Sequence, residues 1–226
     1  MIEVTKDSMK KGMKDNIHRK QPSINDVIEY RGFPLFSFIE LNINEICNRK
    51  CVFCPRVDPE IYPNQNIHMD LKIAENIAKQ LQGLNFTGIV NISGTGEPLL
   101  TKHITDIVNE FGKRGIHIEI VTNGDVLRRK KGPQLIRELY ASGLKQLVIS
   151  MYDGPEQIEE FNQLFNSCGI GKDLYSLRDR WYDESEDYGL LYTNRAGNIG
   201  FEHLSEIAKR KLMKSGKSAC FYTHYS

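Results

Sequence analysis

Between residues 88 and 165 the chain alternates short apolar runs with amphipathic stretches of helical period, and few folds accommodate that order. Gly88–Ile92, Ile116–Val121 and Gln146–Met151 read as strands. Helical patterns precede, separate and follow them: Asp70–Leu81, Thr101–Lys113, Gln134–Ser142 and Pro155–Phe165. In the first of them Leu71, Ala74, Ile77, Ala78 and Leu81 share one face and Asp70 stands at the N-cap. Gly115 and Gly143 punctuate the ends, and Pro155 sits where a first helical turn tolerates it. An earlier run, Leu35–Ile43, supplies another strand, and Leu174–Leu177 offers one more. Strand-to-strand spacings of about 28 residues match a βαβ unit, so the expectation is an α/β fold with a parallel sheet: a partial, open (β/α) barrel of about five or six strands.

Around that centre lie segments of weaker pattern. Residues 1–34 form a polar, lysine-rich extension ending at Gly32-Phe33-Pro34, and the barrel is expected over 35–182. Residues 183–226 read as a linker and the start of a further region. Apolar residues make up 40% of the 226 and charged residues 26%, enough to bury a core, and the net charge of +1 favours neither nucleic acid nor an anionic membrane. No export signal or membrane-spanning run is visible, which points to the cytoplasm. The five cysteines are then expected to be reduced, and a tight group of them reads as metal-binding or catalytic.

Such a group exists. Cys47-Asn-Arg-Lys-Cys51-Val-Phe-Cys54 places three thiols in a loop directly after the first strand. A 4Fe–4S cube takes one outside ligand per iron, so three cysteines leave one iron open to a chelating small molecule. Two plainer readings compete: a zinc ion completed by His68 or His103, or three buried thiols. At the end of the next strand, Ser93-Gly94-Thr95-Gly96-Glu97-Pro98 is no P-loop, since Glu97 would repel a phosphate. A carboxylate among glycines suits a cation approached closely by backbone, such as an α-ammonium group. Thr122-Asn123-Gly124 and Ser150 lie at the two following strand ends. Taken singly, each reads as a turn residue or a strand hydroxyl; in parallel βα proteins, though, ligands bind outside the carboxyl ends of the strands.

The Cys-x3-Cys-x2-Cys spacing, with Phe53 before the third cysteine, resembles the signature of the radical S-adenosylmethionine superfamily. The resemblance implies an enzyme in which Cys47, Cys51 and Cys54 hold a 4Fe–4S cluster. It implies that S-adenosylmethionine chelates the open iron and is cleaved reductively to a 5′-deoxyadenosyl radical, which abstracts hydrogen from a substrate. Phe53 would lie near the adenine, and Gly96, Glu97 and Pro98, similar to the superfamily's Gly-Gly-Glu-Pro with Thr95 in place of a glycine, would receive the methionine amino group. Thr122, Asn123 and Ser150 would contact the cofactor. The implied partners are a peptide or sugar-like small-molecule substrate and a reductant such as flavodoxin or ferredoxin. Tyr188–Asn198 resembles the bridge of the SPASM-type subgroup and Cys220 stands where the first cysteine of such a domain is expected, so the chain is expected to be truncated at its C-terminus, the alternative being that Cys220 is an idle thiol. The alternatives are a non-catalytic zinc or iron–sulfur module, or an inactive fragment. Cys168 is expected to be a small buried hydrophobe, Arg128-Arg129-Lys130-Lys131 a solvated face, and Arg178 either a carboxylate contact or a surface ion pair.

Overall fold

The computed structural model describes residues 29–51, 54–60 and 62–180. Five parallel strands form the central sheet in the order β3 (Phe38–Leu41), β4 (Ile89–Ile92), β5 (His117–Thr122), β6 (Gln146–Met151) and β7 (Tyr175–Asp179). A two-stranded antiparallel hairpin, β1 (Glu29–Tyr30) with β2 (Phe33–Pro34), precedes them. Four helices cross over between strands: α1 (Leu71–Gly83), α2 (Ile104–Gly112), α3 (Gly132–Ala141) and α4 (Glu156–Ser167). Within the described residues the sheet stays open, as expected of a partial barrel.

The alternation of side chains fixes which face meets the helices. Val90, Ile92, Ile118, Ile120, Leu147 and Ile149 are fully buried in one cluster with Ala74, Ala78, Ile107, Phe111, Ile136, Leu139, Phe161 and Phe165. Each of the larger of these side chains contributes about 1.5–3 kcal/mol on leaving water, and the two alanines less. The intervening positions put Asn91 beside Glu119, 3.5 Å apart, on the other face. A one-residue slip would exchange these two sets, so the register is held by burial.

Helix boundaries follow local chemistry. Asp70 caps α1 by accepting from the Lys72 N–H at 2.7 Å, and Ala74, Ala78 and Leu81 bury its apolar stripe. α2 starts three residues later than the periodicity predicts, because Pro98–Leu100 forms a separate 3₁₀ turn before it. At the far end of the sheet, Phe165 stacks on Tyr175 with ring centroids 4.0 Å apart, tying α4 to β7. Because all five strands run the same way, the loops after β3, β4, β5 and β6 emerge together at one edge.

Candidate active site

The loop after β3 is bound to the loop after β4 before any side chain of the cysteines is considered. Asn44, 3% exposed, donates from Nδ2 to the Glu97 carbonyl at 2.7 Å and to Thr101 Oγ1 at 2.6 Å, while its Oδ1 accepts from the Ile46 N–H. The Glu97 N–H returns a bond to the Ile46 carbonyl at 2.8 Å. Gly96 lies so close to Asn44 that a Cβ there would overlap its amide and its carbonyl oxygen.

Cys47 follows this anchored stretch. The Asn64 side chain grips its backbone twice, accepting from the Cys47 N–H at 2.9 Å and donating to its carbonyl at 2.8 Å. The Cys54 N–H donates to the Cys51 carbonyl at 2.9 Å, tying the third thiol's residue to the second's. Next along the chain, Arg56 is 3% exposed and spreads its guanidinium over four acceptors: the Thr95 and Pro63 carbonyls, Asn64 Oδ1 and Glu45 Oε2. It also lies over the Tyr62 ring, 4.6 Å from the centroid. A single buried cation therefore connects the cysteine loop to the glycine-rich loop.

Glu97 is 3% exposed and meets three donors: the Thr122 hydroxyl and the Leu99 N–H on Oε1, and the Asn123 N–H on Oε2. Burial outweighs those donors and pushes its carboxyl up to about 7. Asn123 Nδ2 in turn donates to Asn48 Oδ1 at 2.9 Å, one residue beyond Cys47. Glu97, Thr122 and Asn123 are thus brought into one hydrogen-bonded unit with the cysteine loop. The Thr122 hydroxyl, 2% exposed, is engaged by Glu97. Pro98 is buried and opens the 3₁₀ turn. Ser150, 6% exposed, lies on β6 in register with Arg178 and takes no part in that unit. Phe53, Tyr188–Asn198 and Cys220 lie outside the described residues.

Around the Cys47 thiol, burial pushes the pKa up, and the charges of Glu97 and Cys54 act in the same direction. The Arg49 N–H, donated to the sulfur at 3.5 Å, and the Arg56 cation oppose them. Among the described residues no three His, Cys, Asp or Glu side chains gather as a single metal ion requires. Cys168 is remote from the loop, partly buried at the end of α4 with its sulfur 3.7 Å from the Pro133 carbonyl. The donor set is three free, partly buried thiols from one loop, and among the described residues the remaining cysteine, Cys168, stands at the end of α4 instead. It fits a cluster with one open iron.

The model of the radical SAM superfamily matches residues 41–170. The chain belongs to the radical S-adenosylmethionine superfamily. Radical SAM proteins use a 4Fe–4S cluster and S-adenosylmethionine, and these are the cofactors of this chain. Among curated proteins it is 31% identical over 123 residues to the S-adenosyl-L-methionine-dependent 2-deoxy-scyllo-inosamine dehydrogenase of Niallia circulans, covering 53% of this chain and 46% of that one. It is 28% identical over 116 residues to the GTP 3′,8-cyclase of Marinobacter nauticus, covering 51% and 33%. Among solved structures, BtrN in complex with AdoMet and 2-DOIA superposes with a TM-score of 0.57 at 26% identity, covering 74% of this chain and 65% of that one. The chain spans about half the length, or less, of these curated relatives. No described helix is long and apolar enough to cross a membrane.

Several residues of the site escape a reading of the sequence. Arg49 sits inside the cysteine motif, and its two carboxylate partners, Asp125 and Asp153, each stand beside a glycine just past a strand end. That placement is the signal available in the sequence. Arg128, by contrast, is exposed as expected but precedes α3 and pairs with Asp153 and Glu160.

Proposed function

We propose that this chain carries the catalytic core of a radical SAM enzyme that removes hydrogen from a polyhydroxylated, sugar-like small molecule. When bound, the cluster and S-adenosylmethionine together supply the 5′-deoxyadenosyl radical for that abstraction. Cys47, Cys51 and Cys54 hold the cluster, and Gly96, Glu97 and Pro98 receive the methionine end of the cofactor. Asn123 and Thr122 orient the Glu97 carboxylate, Ser150 meets the cofactor from β6, and Phe53 meets the adenine. A one-electron donor such as flavodoxin or ferredoxin, membership of the SPASM-type subgroup and a cytoplasmic setting belong to the same proposal, and a peptide is the alternative substrate.

One observation carries this reading: a buried carboxylate at a strand end, oriented by three donors and joined through Asn123 and Asn48 to a loop of three cysteines. A carboxylate accepts at about four positions, so one is left for an incoming ammonium group. The choice of a sugar-like substrate is supported by the dehydrogenase of Niallia circulans and by the BtrN complex.

The test is anaerobic reconstitution with iron and sulfide, followed by electron paramagnetic resonance with and without S-adenosylmethionine. A 4Fe–4S signal that shifts on adding the cofactor is expected, and Cys51→Ala should lose both the signal and cofactor cleavage. Zinc in place of iron, or a cluster indifferent to the cofactor, would leave a binding module.

A further inference from the structure

The three residues between Cys47 and Cys51 belong to no helix or strand, yet one of them, Arg49, makes four side-chain hydrogen bonds. Arg49 forks onto two carboxylates at once. Nε and Nη2 donate to the two oxygens of Asp125, and Nη1 and Nη2 donate to the two oxygens of Asp153 at 2.7 and 2.8 Å. The guanidinium also lies 5.3 Å from the centroid of the Tyr152 ring. Asp125 follows β5 and Asp153 follows β6, so a single side chain ties the cysteine loop to two neighbouring strand ends. Asn48 repeats the tie on a smaller scale, donating to Asp125 Oδ2 at 2.6 Å. Arg128 holds Asp153 from the other side at 3.1 Å and is itself held by Glu160 at 2.8 Å.

We propose that Arg49 is a positioning residue: its double fork clamps the cysteine loop onto the β5 and β6 ends, so that the loop is already shaped when the cluster assembles. The inference rests on the assignment of Cys47, Cys51 and Cys54 as ligands. The planar guanidinium can grip two carboxylates in fixed directions, whereas the ammonium of a lysine, a point charge, cannot. The clamp works through the loop and touches no reacting atom. Its side chain is 19% exposed against 20% for Asp125 and 44% for Asp153, so the network lies at the rim and outside the hydrophobic core. Its loss should loosen the loop without unfolding the sheet.

The experiment reconstitutes the cluster in the full chain and follows iron release to a ferrous chelator under anaerobic conditions. Residues that orient metal ligands cost about 10–100-fold in metal retention when changed, and Arg49→Gln is expected at the lower end, about tenfold faster release. Its apoprotein should melt within a few degrees of the parent. Arg49→Lys should recover only part of the loss. The double variant Arg49→Gln/Asp125→Asn should release iron more slowly than the product of the two single effects, because the Arg49–Asp125 contact is lost only once, with Asn48 the remaining partner of Asp125 on the loop. Added salt should quicken release from the parent more than from Arg49→Gln. Release from Arg49→Gln at the parental rate, or effects that multiply in the double variant, would overturn the clamp. Should Arg49→Gln fail to fold, Asp153→Asn at the exposed rim gives the same reading, with faster release expected and an unchanged rate overturning. A parent that takes up no iron overturns the ligand assignment and the clamp with it; a parent that loads normally beside an unaltered Arg49→Gln overturns the clamp alone.

Discussion

Glu97 is an acid whose environment works against its own charge. Burial raises its carboxyl from 4.5 to about 7, with a further push from Asp125, although Thr122, Asn123 and Leu99 all donate to it. The consequence for stability has a definite sign. Between pH 4.5 and about 7 the native chain keeps a proton that the unfolded chain has released, so this group's contribution falls as pH rises through that window. A cation placed against the carboxylate would reverse the shift, and its binding below pH 7 must expel the proton. S-adenosylmethionine should therefore bind the cluster-loaded protein more tightly as pH is raised from about 5 to 7, by up to about tenfold per unit. Calorimetry in two buffers of different ionisation enthalpy would show the released proton directly. Glu97→Ala should bind weakly and lose the dependence; a parent whose affinity ignores pH in this range would remove the ammonium role from Glu97.

At the scale of elements, most of the fold and half of the site can be read along the chain. α1 to α4 and β4 to β6 follow from periodicity, and Asp70 is visible as a cap because its side chain bonds two residues away. The hairpin β1–β2 is not legible, since two-residue strands hold no period to detect. The cysteines and Gly96-Glu97-Pro98 stand out because each motif is contiguous. Arg49 meets Asp125 and Asp153 across 76 and 104 residues, and Arg56 meets Thr95 across 39, distances no local pattern reports. Glycines show the same division. Gly83, at the end of α1, has nothing within 4 Å of an added Cβ, whereas one at Gly96 would meet the Asn44 backbone. Gly83→Ala is therefore expected to gain a few tenths to about 1 kcal/mol from helix propensity. Gly96→Ala should cost about 1–3 kcal/mol as an overpacked contact, because the Asn44 carbonyl oxygen cannot rotate away even where its side chain can. Urea titration separates the two, and equal effects would mean that the glycine-rich loop does not approach Asn44 in solution.

Across the whole molecule the site loops hang from strands of unequal depth. β5 and β6 each have a strand on both sides and bury Ile118, Ile120, Leu147, Val148 and Ile149 completely, whereas β3 is only half covered and, within the described residues, pairs on one side alone. Two of the loops, Thr122–Asp125 and Tyr152–Gly154, are therefore mounted on the deepest part of the sheet, and the cysteine loop is mounted on its edge. That contrast gives the Arg49 fork its mechanical sense, since it joins a loop on an edge strand to supports that open only with the whole fold. Amide exchange should reveal the gradient. The β5 and β6 amides are expected to exchange last, at the rate of global unfolding, and those of β3 and of residues 45–51 through smaller local openings. Arg49→Gln should then speed exchange in residues 45–51 and leave β5 and β6 unchanged, as mass spectrometry of the apoprotein would show. Equal protection of β3 and β5 would contradict the gradient. Exchange across 45–51 that is unmoved by the substitution would mean that Asn44, Asn64 and Arg56 already hold the loop without the fork.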